Sequence, residues 1–314
     1  MPVRQILPGI TVICIFLAML LSPEAVFNGA FDGLMLWFQV IFPTLFPFML
    51  ISGLMLSSGG LSIVSRLLGG VSRTVFRTSE NGSFAVLAGF LCGYPMGAKV
   101  SADLVRAGRI TEQEASYLLS FVNNTSPAFI INFIVWKSLG RKDLIAPTLI
   151  ILLFVPCLMS LVFRRYYLKG TPHFKNAGTN ADARRKFDLR LVDSCMADSF
   201  DAILKVGGYI ILFSILISLL AEIFVNRGPF FLILASLEIT NGIRMITETF
   251  ADPVLSYPLV LGLTSFGGLC AAAQTSSMLE GTGLKMLPYL IEKLAAGTAA
   301  SLAGYLYISV VSSL

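Results

Sequence analysis

The chain alternates long apolar runs with short polar breaks. Runs long enough to span a bilayer, about 20 residues each, lie at roughly 5–22, 34–57, 114–136, 145–163, 206–225, 255–275 and 286–311. Two further apolar stretches are interrupted. Residues 83–102 contain Gly89, Gly93, Pro95 and Gly97, and residues 229–250 contain Glu238, Asn241 and Gly242. Non-helical backbone at membrane depth survives only where protein or a water-filled cavity satisfies its N–H and C=O groups. These breakers therefore predict two re-entrant broken hairpins, each dipping in and returning to its own side. The expected fold is all-α, a polytopic transmembrane helical bundle.

The polar segments orient the runs. Residues 164–190 hold Arg164, Arg165, Lys169, Lys175, Arg184, Arg185, Lys186 and Arg190, which places this segment in the cytoplasm. The segment 23–33 carries Glu24 and Asp32 without Lys or Arg and reads as an outer loop. Residues 58–78, with Arg66, Arg73 and Arg77 among Leu and Val, read as an amphipathic helix on the inner surface. The short basic loop Lys137 to Asp143 falls outside in this scheme, against the positive-inside rule.

Each half then reads as a span, a broken hairpin and two spans. The first half enters from outside and the second from the cytoplasm. That is an inverted-topology repeat, the arrangement that points to a secondary-transporter site near the midplane. Four units follow: 1–33, a first helix and outer loop; 34–163, the first repeat; 164–205, a basic cytoplasmic linker; and 206–314, the second repeat. Identity between the halves is not evident, so the repeat rests on hydropathy and breaker placement.

Composition agrees. Of 314 residues, 55% are hydrophobic and only 13% charged, so the bilayer must be part of the solvent. The net charge of +5 comes from residues between apolar runs, which argues against nucleic acid as a partner. Cys14, Cys92, Cys157, Cys195 and Cys270 are scattered, and His173 is the one histidine. Neither a zinc site nor a disulfide framework is expected. The N-terminal run after Arg4 is long and lacks a good cleavage pattern, so it reads as a retained membrane helix.

Four constellations could carry function. The stretch Gly89-Phe-Leu-Cys-Gly-Tyr-Pro-Met-Gly-Ala-Lys99 would break a spanning helix and free N–H groups for an anion, with Gly93, Tyr94, Pro95 and Lys99 as candidates. Close-packing glycines in a kinked helix are the alternative. Asn123, Asn124, Thr125, Ser126 and Pro127 interrupt an apolar helix, and Pro127 removes a donor, so a discontinuous helix is expected there. Asn123, Asn124 and Ser126 either meet substrate or hold helices together. Glu238, with Thr240 and Asn241, is the most deeply placed acid; it either serves substrate, cation or proton, or pairs with Arg244 or Lys99. Ser265 and Gln274 sit in a small-residue span that matches the interrupted helix of the first half. No catalytic set, phosphate loop or metal-ligand spacing occurs, so no enzyme, no resident cofactor and no metal are expected.

The segments 89–99 and 118–130, together with 237–242 and 265–268, resemble the YlbJ-type sporulation integral membrane proteins. The resemblance runs from about residue 34 to the end. It implies two Gate, or nucleoside-recognition, domains and a core similar to concentrative nucleoside transporters. It also implies transport of dipicolinic acid toward the forespore, in the bacterial cytoplasmic or outer forespore membrane. Dipicolinate is a planar dianion, which Lys99, the hairpin N–H groups, Asn123, Asn124 and Gln274 would suit. Glu238 would repel it unless a coupling cation, Na⁺ or H⁺, stood between them. The partners expected are the lipid bilayer, this small anion and, as a homo-oligomer, further copies of the chain. Nucleosides or another small solute are the alternative cargo. A non-transporting assembly protein of the spore envelope is the alternative role.

Overall fold

A computed structural model describes residues 3–58, 60–169, 174, 188–224 and 229–312. Lys175, Arg184, Arg185 and Lys186 of the basic segment, and His173, lie outside the described residues. The described chain is helical. In order come α1 (Val3–Leu21), α2 (Pro23–Leu36), π-type turns at Trp37–Ile41, α3 (Phe42–Ser58), α4 (Gly60–Val75), α5 (Gly82–Leu91) and α6 (Met96–Arg106). Then follow α7 (Glu112–Val122), α8 (Pro127–Phe129) with π-type turns over Ile130–Leu139, α9 (Ile145–Leu168), α10 (Leu189–Phe224), α11 (Pro229–Ala235) and α12 (Ile239–Thr249). The chain closes with α13 (Pro253–Phe266), α14 (Gly268–Met278) and α15 (Met286–Ser312). Among the described residues, six stretches are long and apolar enough to cross a membrane: Pro23–Ser58, Glu112–Leu139, Lys142–Leu168, Leu189–Glu222, Pro253–Met278 and Met286–Val311.

Two expectations need correction. Residues 23–33 are not a loop but the start of a continuous helix. Pro23 suits the first turn, where its missing N–H costs nothing, and Glu24 faces the positive helix end. Gly29 and Gly33 then let this helix press on α10, where a side chain at either position would stand 2.8 Å from the α10 backbone. That is the small-xxx-small device of membrane helix pairs, and its spacing is present in the sequence. Likewise α10 begins at Leu189, not near 206. Leu191, Cys195, Ser199, Ala202, Ile203 and Val206 are buried at helical spacing, while Asp193, Asp198, Asp201 and Lys205 face outward. The charges hid a helix whose buried stripe is regular.

The interrupted stretches are helix pairs. At about 1.5 Å per residue, α5 and α6 are each far shorter than a bilayer. Side chains on Gly89 of α5 and Gly97 of α6 would both collide with the carbonyl oxygen of Val122. The two arms thus flank the same point, and the chain reverses at Cys92–Pro95. In the second pair a side chain on Gly242 of α12 would strike the carbonyl of Ala235 at the end of α11. The spans 112–139 and 253–278 break where expected, at Asn123–Ser126 and at Gly267, whose φ of +91° favours glycine.

The packing gathers these breaks. One apolar cluster joins α5, α6, α7 and α10, and a second joins α9, α12, α13 and α15. The α2 and α10 helices are tied by Trp37, whose ring N–H donates to the carbonyl of Ile203 at 3.0 Å. Between the clusters lie the four interruptions.

Candidate functional site

A cavity of about 160 Å³ opens where the four interruptions meet. The first pair supplies Cys92, Gly93 and Tyr94, and the first broken helix supplies Thr125, Ser126, Phe129, Asn132 and Phe133. The second pair supplies Glu238, Ile239 and Thr240, and the second broken helix Cys270, Ala271 and Gln274. Leu36, Val40, Ile41, Thr44 and Leu45, with Val206 and Ile210 of α10, close the sides. Both π-type segments contribute to this wall. Such distortions re-aim side chains and occur often at functional sites.

The backbone ends at the breaks are largely satisfied by the protein itself. The first N–H groups of α14, Leu269 and Cys270, donate to the carbonyls of Ser236 and Leu237 at 2.8 Å each. Glu238, only 3% exposed, caps α12 by accepting from the N–H groups of Thr240 (3.0 Å) and Asn241 (2.9 Å) and from the Asn241 amide (3.0 Å). Ser126 caps α8 by accepting from Phe129 N–H at 3.3 Å. In the first pair, Met96 N–H donates to Gly93 O and Lys99 N–H to Pro95 O, while Ala98 N–H reaches Asn123 Oδ1 at 3.4 Å. The free N–H groups expected for an anion therefore already have acceptors at these positions.

The predicted site residues divide. Gly93, Tyr94, Ser126, Glu238, Thr240 and Gln274 line the cavity. Pro95, Lys99, Asn123, Asn124, Asn241 and Ser265 do not. Lys99 pairs with Asp103 at 2.6 Å on α6 and faces a separate cavity with Arg106, Asp198 and Lys205. Its helix position, one turn past the break, turns it away. Asn123 holds the core together, its amide donating to Thr275 and Tyr289 hydroxyls at 2.8 Å each. Asn124 donates to the Phe121 carbonyl at 2.6 Å. Pro95 follows a cis Tyr94–Pro95 bond at the reversal. Asn241 spends its amide on Glu238 and on Ser214 at 3.2 Å. Ser265 offers its carbonyl to Tyr94. Glu238 pairs with neither Lys99 nor Arg244, since Arg244 lies 3.8 Å from Glu248.

Sequence reading missed Thr44 and Asn132, each the polar member of an apolar helix face, which is the signal that would have found them. It also missed Lys293, 2% exposed on α15, whose ammonium donates to the Asn123 carbonyl at 3.0 Å. No lysine or arginine lines the cavity among the described residues, and Glu238 is its one carboxylate. Gln274 engages only the Cys270 sulfur, at 3.2 Å, among the described residues.

A second cavity adjoins the first on one side, sharing Leu36, Val40, Phe133 and Thr240 and reaching Asp32, Lys137, Arg244 and Glu248. On the other side buried Met49, Ala202 and Met278 stand one helical turn beyond Leu45, Val206 and Gln274. They line the cavity that holds Lys99.

Comparison with known proteins bears on the fold. No protein-family model matches the chain, one for the expected Gate domain included. The chain is 28% identical over 317 aligned positions to the sporulation integral membrane protein YlbJ of Bacillus subtilis, covering 89% of this chain and 76% of that protein. It superposes on the structure of a CNTnw variant in its intermediate 3 state with a TM-score of 0.51, at 15% identity, covering 96% of this chain and 85% of the other. The chain is thus an integral membrane protein similar in sequence to the sporulation protein YlbJ and similar in helical-bundle fold to CNTnw.

Proposed function

We propose that this protein is a secondary carrier of a small, uncharged, ring-bearing solute of the nucleoside kind. The observation that carries the reading is the lining of the central cavity. Phe129 and Phe133, stacked 4.8 Å apart, offer ring surface, and Ser126, Asn132, Thr240 and Gln274 offer hydrogen bonds, with no cationic side chain. A mostly apolar cavity with a few placed polar groups suits such a ligand. An ionised Glu238 would repel a dianion at close range in a low dielectric.

On this reading the two helix pairs are re-entrant hairpins, and the halves 23–168 and 189–312 are inverted repeats. Apart from α4, which stands between span and helix pair in the first half alone, both halves follow one order: a 36-residue or 34-residue span, a helix pair, a broken helix and an unbroken span. The cavity communicates with the face that bears Asp32 and Lys137. The layer of Met49, Ala202 and Met278 closes the other route. Alternating access would open this layer while the hairpins close the first route. Dipicolinate is the second reading, favoured by the sporulation relative alone.

Purified protein is to be screened by thermal shift, and proteoliposomes by uptake, against uridine, adenosine and dipicolinate. Stabilisation and saturable uptake of a nucleoside, without competition by dipicolinate, is the expected result. Saturable dipicolinate uptake that nucleosides leave untouched would reverse the choice. A flat response to every solute would favour a non-transporting role.

A further inference from the structure

Two consecutive ionisable residues of α15 are buried, and they point different ways. Glu292 accepts the hydroxyl of Tyr167 on α9 at 2.5 Å. Lys293 reaches across to the first broken helix, where its Nζ donates to the carbonyl of Asn123 at 3.0 Å. That carbonyl lies in the break itself. The same Nζ stands 5.0 Å from the ring centre of Tyr94 at the tip of the first hairpin. Tyr94 lines the central cavity and Lys293 does not, so Tyr94 lies between the amine and the solute space.

An ammonium carries three donors and repays burial only with acceptors or a counter-charge. Among the described residues Lys293 meets one carbonyl and one ring face, with no carboxylate within ion-pair distance. An uncharged amine needs no more than that one bond. Tyr94 and Tyr289 are the titratable groups beside it, and Tyr289 is held by Asn123. On the elements packed against α15, Cys157 and Arg164 of α9 are half-buried and Arg165 and Tyr166 exposed, and one oxygen each of Glu114 and of Glu292 is buried without a bond. Glu114 binds the Ser79 N–H, Tyr117 the Phe76 carbonyl and Tyr257 the Thr148 hydroxyl, while Glu112 is exposed at the start of α7. Cys270 contacts Gln274, and Lys99 contacts Asp103.

We infer that Lys293 is the proton-coupling group of this carrier: uncharged while the Tyr94 hairpin is docked on it, protonated when that hairpin withdraws and water reaches Nζ. The inference rests on the carrier reading above. The step is a simple proton transfer. Hydronium on one side gives its proton to the Nζ lone pair and leaves as water, and redocking returns the proton to water on the other side. Solute and hairpin move together, so proton and solute are linked. Sodium is not required.

The test uses proteoliposomes of the full chain with tritiated uridine and dipicolinate as probes. Counterflow exchange without any gradient first establishes carriage; if the wild type exchanges neither probe, the carrier reading fails and takes this inference with it. Given exchange, an inward gradient of one pH unit should support up to about tenfold accumulation, ~1.4 kcal/mol, and an equal Na⁺ gradient none. Lys293→Met should lose the response to the proton gradient in the counterflow exchange that it retains. Accumulation driven by Na⁺ alone, or a Lys293→Met variant that still follows pH, would overturn the inference. Pyranine trapped in wild-type vesicles gives a reading that no variant can spoil by misfolding. Internal acidification must accompany solute entry, and entry without it refutes coupling.

Discussion

The hydroxyl of Tyr94 donates to the carbonyl oxygen of Ser265 across 2.9 Å and 171 positions of sequence. This bond joins the tip of the first hairpin to the end of α13, just before the break at Gly267. Beside it, the Thr125 hydroxyl donates to the Thr264 carbonyl at 3.2 Å. The interruptions of the two halves are therefore bonded to each other as well as facing one cavity. Tyr94→Phe keeps the ring and removes the donor. It should lower stability by about 1–2 kcal/mol, the cost of leaving one carbonyl unpaired, seen as a fall in the melting temperature of purified protein.

Two glycines of the helix pairs leave no room for a side chain. Gly97→Ala should strike the Val122 carbonyl and Gly242→Ala the Ala235 carbonyl, both of which are backbone atoms that cannot swing away. Each should cost about 1–3 kcal/mol or more by overpacking. Gly70→Ala, with nothing within 4 Å of the added methyl, is the control and should be neutral or slightly stabilising. Fluorescence-detected size exclusion after a heating step separates the two classes; equal melting of all three would remove the steric argument.

Glu238 works first as a helix cap. Glu238→Ala should lose about 0.5–2 kcal/mol of stability, and Glu238→Gln, which keeps one of the two accepting oxygens, should lose less. With a neutral solute, Glu238→Gln should also keep affinity within about tenfold, ~1.4 kcal/mol. A much larger loss, measured by ligand-dependent thermal shift, would mean that the charge itself serves the solute.

Asn123 and Gln274 are both buried amides with different duties. Asn123→Ala strips partners from Thr275, Tyr289 and the Ala98 N–H at once, and should cost at least about 2–4 kcal/mol. Gln274→Leu has one weak sulfur contact to lose, so the fold should survive while solute affinity falls about tenfold. Reversal of this pattern, with a stable Asn123→Ala protein that no longer binds, would make Asn123 the solute contact after all.

Lys99 supplies a negative test. It is paired with Asp103 and faces a cavity that shares no lining residue with the central one. Lys99→Ala should leave solute affinity within about twofold in equilibrium binding. A loss of binding would restore the anion-site reading of this lysine.

Periodicity and breakers alone carried much of the architecture. The apolar runs placed the spans after residue 100 to within a few residues, apart from α10, because a membrane helix must be apolar along its whole length. Glycines and prolines located the interruptions at Cys92–Pro95 and Asn123–Ser126, because their backbone preferences act locally, and the polar residues around Glu238 marked the second pair. Charged positions misled at 23–33 and 189–205. There, hydropathy sees the exposed face, while Gly29, Gly33 and the buried stripe of α10 make the helices.

What only tertiary structure decided is direction and partnership. Lys99, Asn123 and Asn241 lie within a few residues of the breaks, yet a helix turns each side chain by its place in the turn, and all three face away from the cavity. Glu238 looked like a lone acid until α12 brought its own N–H groups to both oxygens. Lys293, next to Glu292, is a charge inside an apolar run, a signal of the same kind as Glu238. Its meaning comes from Asn123 and Tyr94, which are 170 residues and more away along the chain and are brought beside it by packing.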